Sequence, residues 1–244
     1  MKLLVLMGGS RGLESTSTYP LFLTEIKGKL ILEEILKKYL RHDFSQVVFC
    51  VKQDDIDSFN IDSIIKSIIP SAIIVPIKGN TQGASCTALL AQEFIDTDEE
   101  LLVVSCDDYV ESDINKIINA FLGHDSDVGL VSFDSVHPRY SFIKKDDSGA
   151  ICQITEKKPV SRDALASFFY FRHGSDFVSA AQDEIRKDSR INGVFYISQA
   201  VNELILQQKK IELVKIPNGE FHSFKTERQL AAYIATYKHD GDIL

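Results

Sequence analysis

Five short runs rich in Val, Ile and Leu punctuate the first 135 residues: Leu3–Met7, Gln46–Val51, Ala72–Pro76, Leu101–Ser105 and Asp127–Phe133. Their apolar residues are nearly continuous rather than alternating, which is the pattern of strands buried on both faces. Between them the period becomes helical. Leu30–Tyr39 places Ile31, Ile35, Leu36 and Tyr39 on one face, and Ile61–Ile69, Ala84–Phe94 and Asp113–Leu122 read the same way. Strands alternating with helices predict an α/β protein, a three-layer α/β/α sandwich on a mainly parallel sheet.

After about residue 137 the pattern changes. Tyr140–Lys145 and Ala150–Glu156 flank Asp146-Asp147-Ser148-Gly149, a good hairpin turn. Phe168–Phe171 is a further buried strand, and Phe177–Lys187 and Asn192–Gln208 are predicted helices. Ile211–Ile216 reads as a strand, and Thr226–Tyr237 as an amphipathic helix. No linker, repeat or charge block interrupts this series, so residues 1–244 are expected to form one domain, with a front half (1–135) and an elaborated back half (136–244).

Composition narrows the function classes. The net charge of −8 argues against a nucleic-acid binder acting through overall charge, yet allows a local basic pocket for a small phosphorylated ligand. Cys50, Cys86, Cys106 and Cys152 lack CxxC spacing, which suits reduced thiols better than disulfides or a zinc site. The run Leu3–Met7 is too short for a signal-peptide core, and no stretch is long enough to span a bilayer. The expectation is a cytoplasmic protein with no membrane and no nucleic-acid partner; a homo-oligomer stays open.

Four segments carry candidate chemistry. Gly8-Gly9-Ser10-Arg11 directly follows the first strand. Glycines there let backbone N–H groups approach phosphate oxygens, and an arginine can pair with two of them. A plain glycine turn is the competing reading, and neither GxGxxG nor GxxxxGK[ST] is present. Leu101–Val110 is an apolar strand ending in Asp107-Asp108, where a parallel sheet would hold a divalent metal; the pair could instead cap the helix near Asp113. Gly79-Asn80-Thr81-Gln82-Gly83-Ala84 opens a helix with small residues, so a flat ligand could come close and Gln82 could meet a base edge. The same residues would serve a simple helix start. Glu156-Lys157-Lys158-Pro159 follows the hairpin strand and is either a pair of phosphate-facing cations or a solvated loop.

In this order and spacing the four segments resemble the sugar-phosphate nucleotidyltransferases, of glycosyltransferase-A-like fold. The resemblance covers nearly the whole chain. It rests on Gly8-Gly9-Ser10-Arg11, Pro20-Leu21, Gly28-Lys29, Gly83-Ala84-Ser85-Cys86-Thr87, Cys106-Asp107-Asp108-Tyr109, His137-Pro138 and Glu156 through Ser161. It implies a Rossmann-like, mixed and mainly parallel sheet of the nucleotide-diphospho-sugar transferase type, with 1–135 the nucleotide-binding half and 136–244 the acceptor-binding half. The implied reaction transfers an NMP from an NTP to a sugar phosphate or similar small phosphorylated acceptor and releases pyrophosphate, for capsule or lipopolysaccharide precursors.

By the same resemblance Arg11, Asp107 and Lys157 are catalytic, and Asp107 holds Mg²⁺, with Mn²⁺ as the alternative. Gly8, Gly9, Ser10, Arg11, Gln82, Gly83 and Ala84 bind the nucleotide. Asp108, Tyr109, Glu156, Lys157 and Asn192 face the acceptor. The chain departs from the family pattern at four places, the first a glycine loop one residue shorter than usual before Arg11. Leu21 stands where a lysine is usual, with Lys27 and Lys29 as candidate substitutes. Residues 220–226 (EFHSFKT) lack the usual second metal-binding aspartate, leaving Asp108 and Glu220 as candidates. Asn192-Gly193-Val194-Phe195-Tyr196 lacks a substrate-side carboxylate. Two alternatives follow from these departures and from the Asp pair: a catalytically impaired nucleotide-binding or regulatory homologue, and a glycosyltransferase that uses a nucleotide sugar.

Overall fold

The computed structural model describes residues 1–9 and 19–239. The chain runs β1 (Lys2–Met7), β2 (Glu25–Ile26), β3 (Lys29–Leu30), α1 (Ile31–Tyr39), β4 (Gln46–Lys52), α2 (Gln53–Phe59), α3 (Ile61–Ile68) and β5 (Ile73–Ile77). Next come α4 (Ala84–Leu89), α5 (Gln92–Ile95), β6 (Leu101–Ser105), β7 (Asp108–Val110), α6 (Ile114–Gly123) and β8 (Val128–Asp134). The back half adds β9 (Ser141–Lys145), β10 (Ile151–Glu156), β11 (Asp163–Phe171), α7 (Gly174–Arg186), α8 (Ile197–Leu206), β12 (Ile211–Lys215), β13 (Phe221–Ser223) and α9 (Glu227–His239).

The large sheet runs β10-β9-β11-β6-β1-β4-β5, and β8 pairs with both β11 and β12. β5, β4, β1 and β6 are mutually parallel; β11 enters antiparallel between β6 and β8. Alternation along the buried β1 divides the core. Leu3, Val5 and Met7 join the cluster under α1, α3 and α6, while Leu4 and Leu6 join the cluster under α4, α5, α7 and α8. Helices cover both faces, so the three-layer α/β/α architecture with a mixed, mainly parallel sheet holds.

Several boundaries differ from the periodicity. The expected helix Ala84–Phe94 is two helices, because the chain tightens at Leu90 and Ala91, whose N–H groups bond back to Thr87 and Ala88. No proline or glycine marks that break. The expected helix from Asn192 begins only at Ile197, because Asn192 (φ +53°) and Gly193 (φ +79°) adopt left-handed conformations that no helix admits. Asp113, not Asp107 or Asp108, caps α6: its side chain accepts from the N–H groups of Asn115 and Lys116. The hairpin turn forms as expected, with Asp146 Oδ1 accepting from Ser148 N at 2.9 Å and Ala150 N at 3.0 Å. Among the described residues no helix is long and apolar enough to cross a membrane.

Candidate active site

Two neighbouring strand ends form the floor of the site. β1 ends at Met7 and passes into Gly8-Gly9; β6, its parallel partner, passes into Cys106-Asp107. A Cβ on Gly9 would lie 3.2 Å from Asp107 Oδ2. A Cβ on Gly8 would come within 2.9 Å of Ile77 and 3.1 Å of Thr87. Glycine therefore lets the β1 turn press against both the acid and helix α4.

Thr87 links this turn to the Gln82–Gly83 loop. Its hydroxyl donates to the Gly83 carbonyl at 3.0 Å and accepts from Thr81 Oγ1 at 2.6 Å. Gly83 itself has φ +136°, and a Cβ there would lie 2.1 Å from the Phe195 carbonyl oxygen. Phe195 N–H donates to the Gln82 carbonyl at 2.8 Å, and Ser85 N–H donates to the Phe195 carbonyl at 3.4 Å. The two loops are thus stitched together, with Gln82 exposed and Asn192 exposed three residues before Phe195. Glu184 of α7 lies fully buried beneath them and accepts from Tyr196 N–H at 2.9 Å. Burial pushes its pKa up to about 7, against the pull of Ser85 and the Tyr196 N–H.

Asp107 keeps its side chain partly exposed at the β6 end. Desolvation pushes its pKa up to about 6; Lys225 opposes this, Asp108 adds to it, and Lys52 at the end of β4 opposes it weakly. β13 pairs antiparallel with β7, bringing Ser223 opposite Asp108, and Phe224 N–H donates to the Asp107 carbonyl at 2.7 Å. That pairing delivers Lys225, whose Nζ lies 3.0 Å from Asp108 Oδ2. Asp108 is buried and the lysine side chain is half exposed. Burial alone would lower the Lys225 pKa, but the Asp108 and Asp107 carboxylates outweigh it and hold it above the usual value.

The hairpin supplies the opposite wall. Glu156 Oε2 accepts from Ser198 Oγ at 2.8 Å. Burial raises its pKa, opposed by Ser198, Ser141, Lys157 and Lys225. Lys157 adopts φ +56°, is exposed, and sets Nζ 5.2 Å from the centroid of the Tyr196 ring. Its N–H donates to the Tyr140 carbonyl at 3.0 Å. Lys225 therefore acts electrostatically on Asp107, Asp108 and Glu156, groups drawn from both halves of the chain.

The residues expected at the site fall into three contact groups. Gly9 meets Asp107 while Gly8 abuts Ile77 and Thr87; Gln82 and Gly83 meet Phe195, with Ala84 the first residue of α4; Lys157 lies over Tyr196 and Glu156 bonds Ser198. Ser10 and Arg11 lie outside the described residues. Tyr109 is the exception: it packs on His222 and Tyr233 and lines a separate cavity with Ile26, Lys29 and Phe224. Successive strand residues face opposite ways, so a buried, Lys225-bound Asp108 turns Tyr109 elsewhere.

The candidate substitutes also fall elsewhere. Lys29 pairs with Glu34 at 3.4 Å, Lys27 lines that same separate cavity, and Glu220 takes the Ser112 hydroxyl. Leu21 packs against the main core cluster. Sequence reasoning missed Lys225, Lys52 and Glu184. Lys225 had one signal, a lone cation in the stretch where the second acid is missing.

Among the described residues no three His, Cys, Asp or Glu side chains converge to hold a metal. Mg²⁺ keeps several waters and takes one or two carboxylates together with substrate phosphates. A single partly exposed carboxylate at the β6 end, Asp107, set against the Gly9 backbone, fits that demand.

A glycine turn and an acid meet at adjoining parallel strand ends, the place where ligands gather in α/β sheets. A model of the nucleotidyl transferase family matches residues 4–212, and the chain belongs to that family. No curated protein matches it in sequence. Among solved structures it is similar to the nucleoside-diphosphate-sugar pyrophosphorylase from Vibrio cholerae RC9. The TM-score is 0.78 at 21% identity, covering 96% of this chain and 100% of that one. It is also similar to a UDP-glucose pyrophosphorylase complexed with UDP-glucose, with a TM-score of 0.73 at 14% identity and 98% of each chain covered. These likenesses show that the chain shares the fold of those two pyrophosphorylases.

Proposed function

We propose that the protein transfers an NMP from an NTP to a sugar phosphate or similar small phosphorylated acceptor. An acceptor phosphate oxygen attacks the α-phosphorus, the bond from that phosphorus to the bridging oxygen breaks, and pyrophosphate leaves. The observation that carries this reading is the contact between the Gly8-Gly9 turn and Asp107, a backbone-rich phosphate loop set against a cation-seeking carboxylate. Mg²⁺, or Mn²⁺ in its place, would be held by Asp107 and supplies charge neutralisation at the α- and β-phosphates when bound.

The chain's own residues do the rest. Gly8 and Gly9 offer N–H groups to phosphate, and Gln82 presents a donor and an acceptor to the base. Lys157, Glu156 and Asn192 receive the acceptor, with the lysine held over Tyr196 until a phosphate draws it away. Positioning and charge, not covalent chemistry, carry the rate. The product is a nucleotide-activated sugar for surface-polysaccharide precursors, made in the cytoplasm.

The test is pyrophosphate release across a panel of NTPs and sugar 1-phosphates with Mg²⁺, alongside Asp107→Ala. Turnover with one NTP that this substitution abolishes supports the reading; no turnover with any pair refutes it. Leu21 packed against the core and Lys225 on Asp108 favour a second reading, a nucleotide-binding homologue without transfer activity. It predicts NTP-induced thermal shifts without pyrophosphate release. Binding of UDP or GDP with no NTP turnover would point instead to a glycosyltransferase.

A further inference from the structure

Lys225 is the cation that the β7–β13 pairing places beside the two carboxylates at the β6 end. Its side chain is half exposed, its Nζ lies 3.0 Å from buried Asp108, and the preceding residue, Phe224, donates its N–H to the Asp107 carbonyl at 2.7 Å. We propose that Lys225 is the resident counter-ion of this site: it takes up Asp108 and leaves Asp107 alone to meet an incoming divalent ion. The protein without nucleotide then holds Mg²⁺ or Mn²⁺ weakly, and the metal arrives largely with the triphosphate. The metal role of Asp107 rests on the proposed function; the effect of Lys225 on cation affinity is measured apart from it.

The charge count sets the expectation. Asp107, Asp108 and Lys225 sum to −1; without the lysine the sum is −2. A unit charge acting on a divalent ion across roughly 5–6 Å of water-like medium alters affinity by about tenfold. Lys225 is therefore a positioning and charge-setting residue whose removal improves metal binding, the opposite of what loss of a ligand or of general integrity would do. Because Asp108 is buried, removing its partner alone threatens folding. Asp108→Asn combined with Lys225→Met removes both charges together and avoids that.

The experiment is a Mn²⁺ titration followed by electron paramagnetic resonance, with no nucleotide and no acceptor present. Lys225→Met is expected to bind Mn²⁺ about tenfold more tightly than the wild type, and Lys225→Arg to stay within about threefold of it. Asp108→Asn is expected to bind about tenfold more weakly, and the double variant to return to within about threefold of the wild type. Unchanged or weaker binding in Lys225→Met overturns the proposal. So does a double variant as weak as Asp108→Asn, since Asp108 would then be a ligand in its own right. If Lys225→Met fails to fold, comparison of Asp108→Asn with the double variant decides alone. Pyrophosphate release with no effect of Lys225 on Mn²⁺ would sink this inference and spare the proposed function. The reverse pattern would do the opposite.

Discussion

Gly83→Ala tests whether the two loops of the site are one unit. Gly83 has φ +136° and ψ 179°, a region open essentially to glycine alone, and forcing alanine into it costs about 1–3 kcal/mol. The new Cβ would lie 2.1 Å from the Phe195 carbonyl oxygen and 2.7 Å from its nitrogen. Both are backbone atoms, so the loops must part. Parting them breaks the Phe195-to-Gln82 and Ser85-to-Phe195 hydrogen bonds, each worth about 1 kcal/mol. The total is about 3–5 kcal/mol, or roughly 6–20 °C in melting temperature for a domain of this size. Thermal melts of wild type and variant measure it, and NTP titration of both follows the base-side loop. Gly79→Ala is the control: φ is +75° with nothing near its Cβ, so strain alone acts and about 1 kcal/mol is expected. A Gly83→Ala protein melting within about 2 °C of wild type with unchanged NTP affinity would refute the stitched-loop account.

Asp107→Asn should cut transfer by about 10²–10³, and the Mg²⁺-dependent part of the NTP thermal shift should vanish; retention of both excludes Asp107 as the metal carboxylate. Glu184 titrates near 7 in the folded protein against 4.5 unfolded, so the folded state binds the extra proton. Its contribution is present below about pH 4.5 and is lost as pH rises through 7, at about 3 kcal/mol in all. Glu184→Gln keeps an oxygen for the Tyr196 N–H and should flatten that fall in urea denaturation; an unchanged slope would show that another group is responsible. Leu21→Lys restores the residue usual at this position but strips apolar contact from the core. A loss of about 1 kcal/mol with no more than a threefold gain in turnover is expected. A tenfold gain would mean that position 21 reaches the substrate after all.

The sheet was legible because its strands are buried on both faces. Leu3–Met7, Gln46–Val51 and Leu101–Ser105 carry unbroken apolar runs, and each is a strand of the parallel core. Gly9 and Asp107 were legible for a related reason, since both directly follow such runs. Other features depend on tertiary contact. α2 carries two aspartates in its first turn and only Ile56 and Phe59 as large apolar residues, too few to show a period. β7 and β13 are three residues each and gain meaning only by pairing across more than 100 positions. The helix expected from Asn192 starts only at Ile197, because a close fit between Gly83 and Phe195 overrides the helical spacing before it.

Residues 220–226 show why missing one residue type is a poor guide to what a site contains. Searching that stretch for an acid finds Glu220, which the β7–β13 register sets beside Ser112, away from Asp107. The same register carries Lys225 to Asp108. A site that trades a carboxylate for an ammonium changes its net charge by two units, from one that draws in a cation to one that already contains one. A positive charge absent at Leu21 is present instead at Lys225, which the β7–β13 pairing sets beside Asp108.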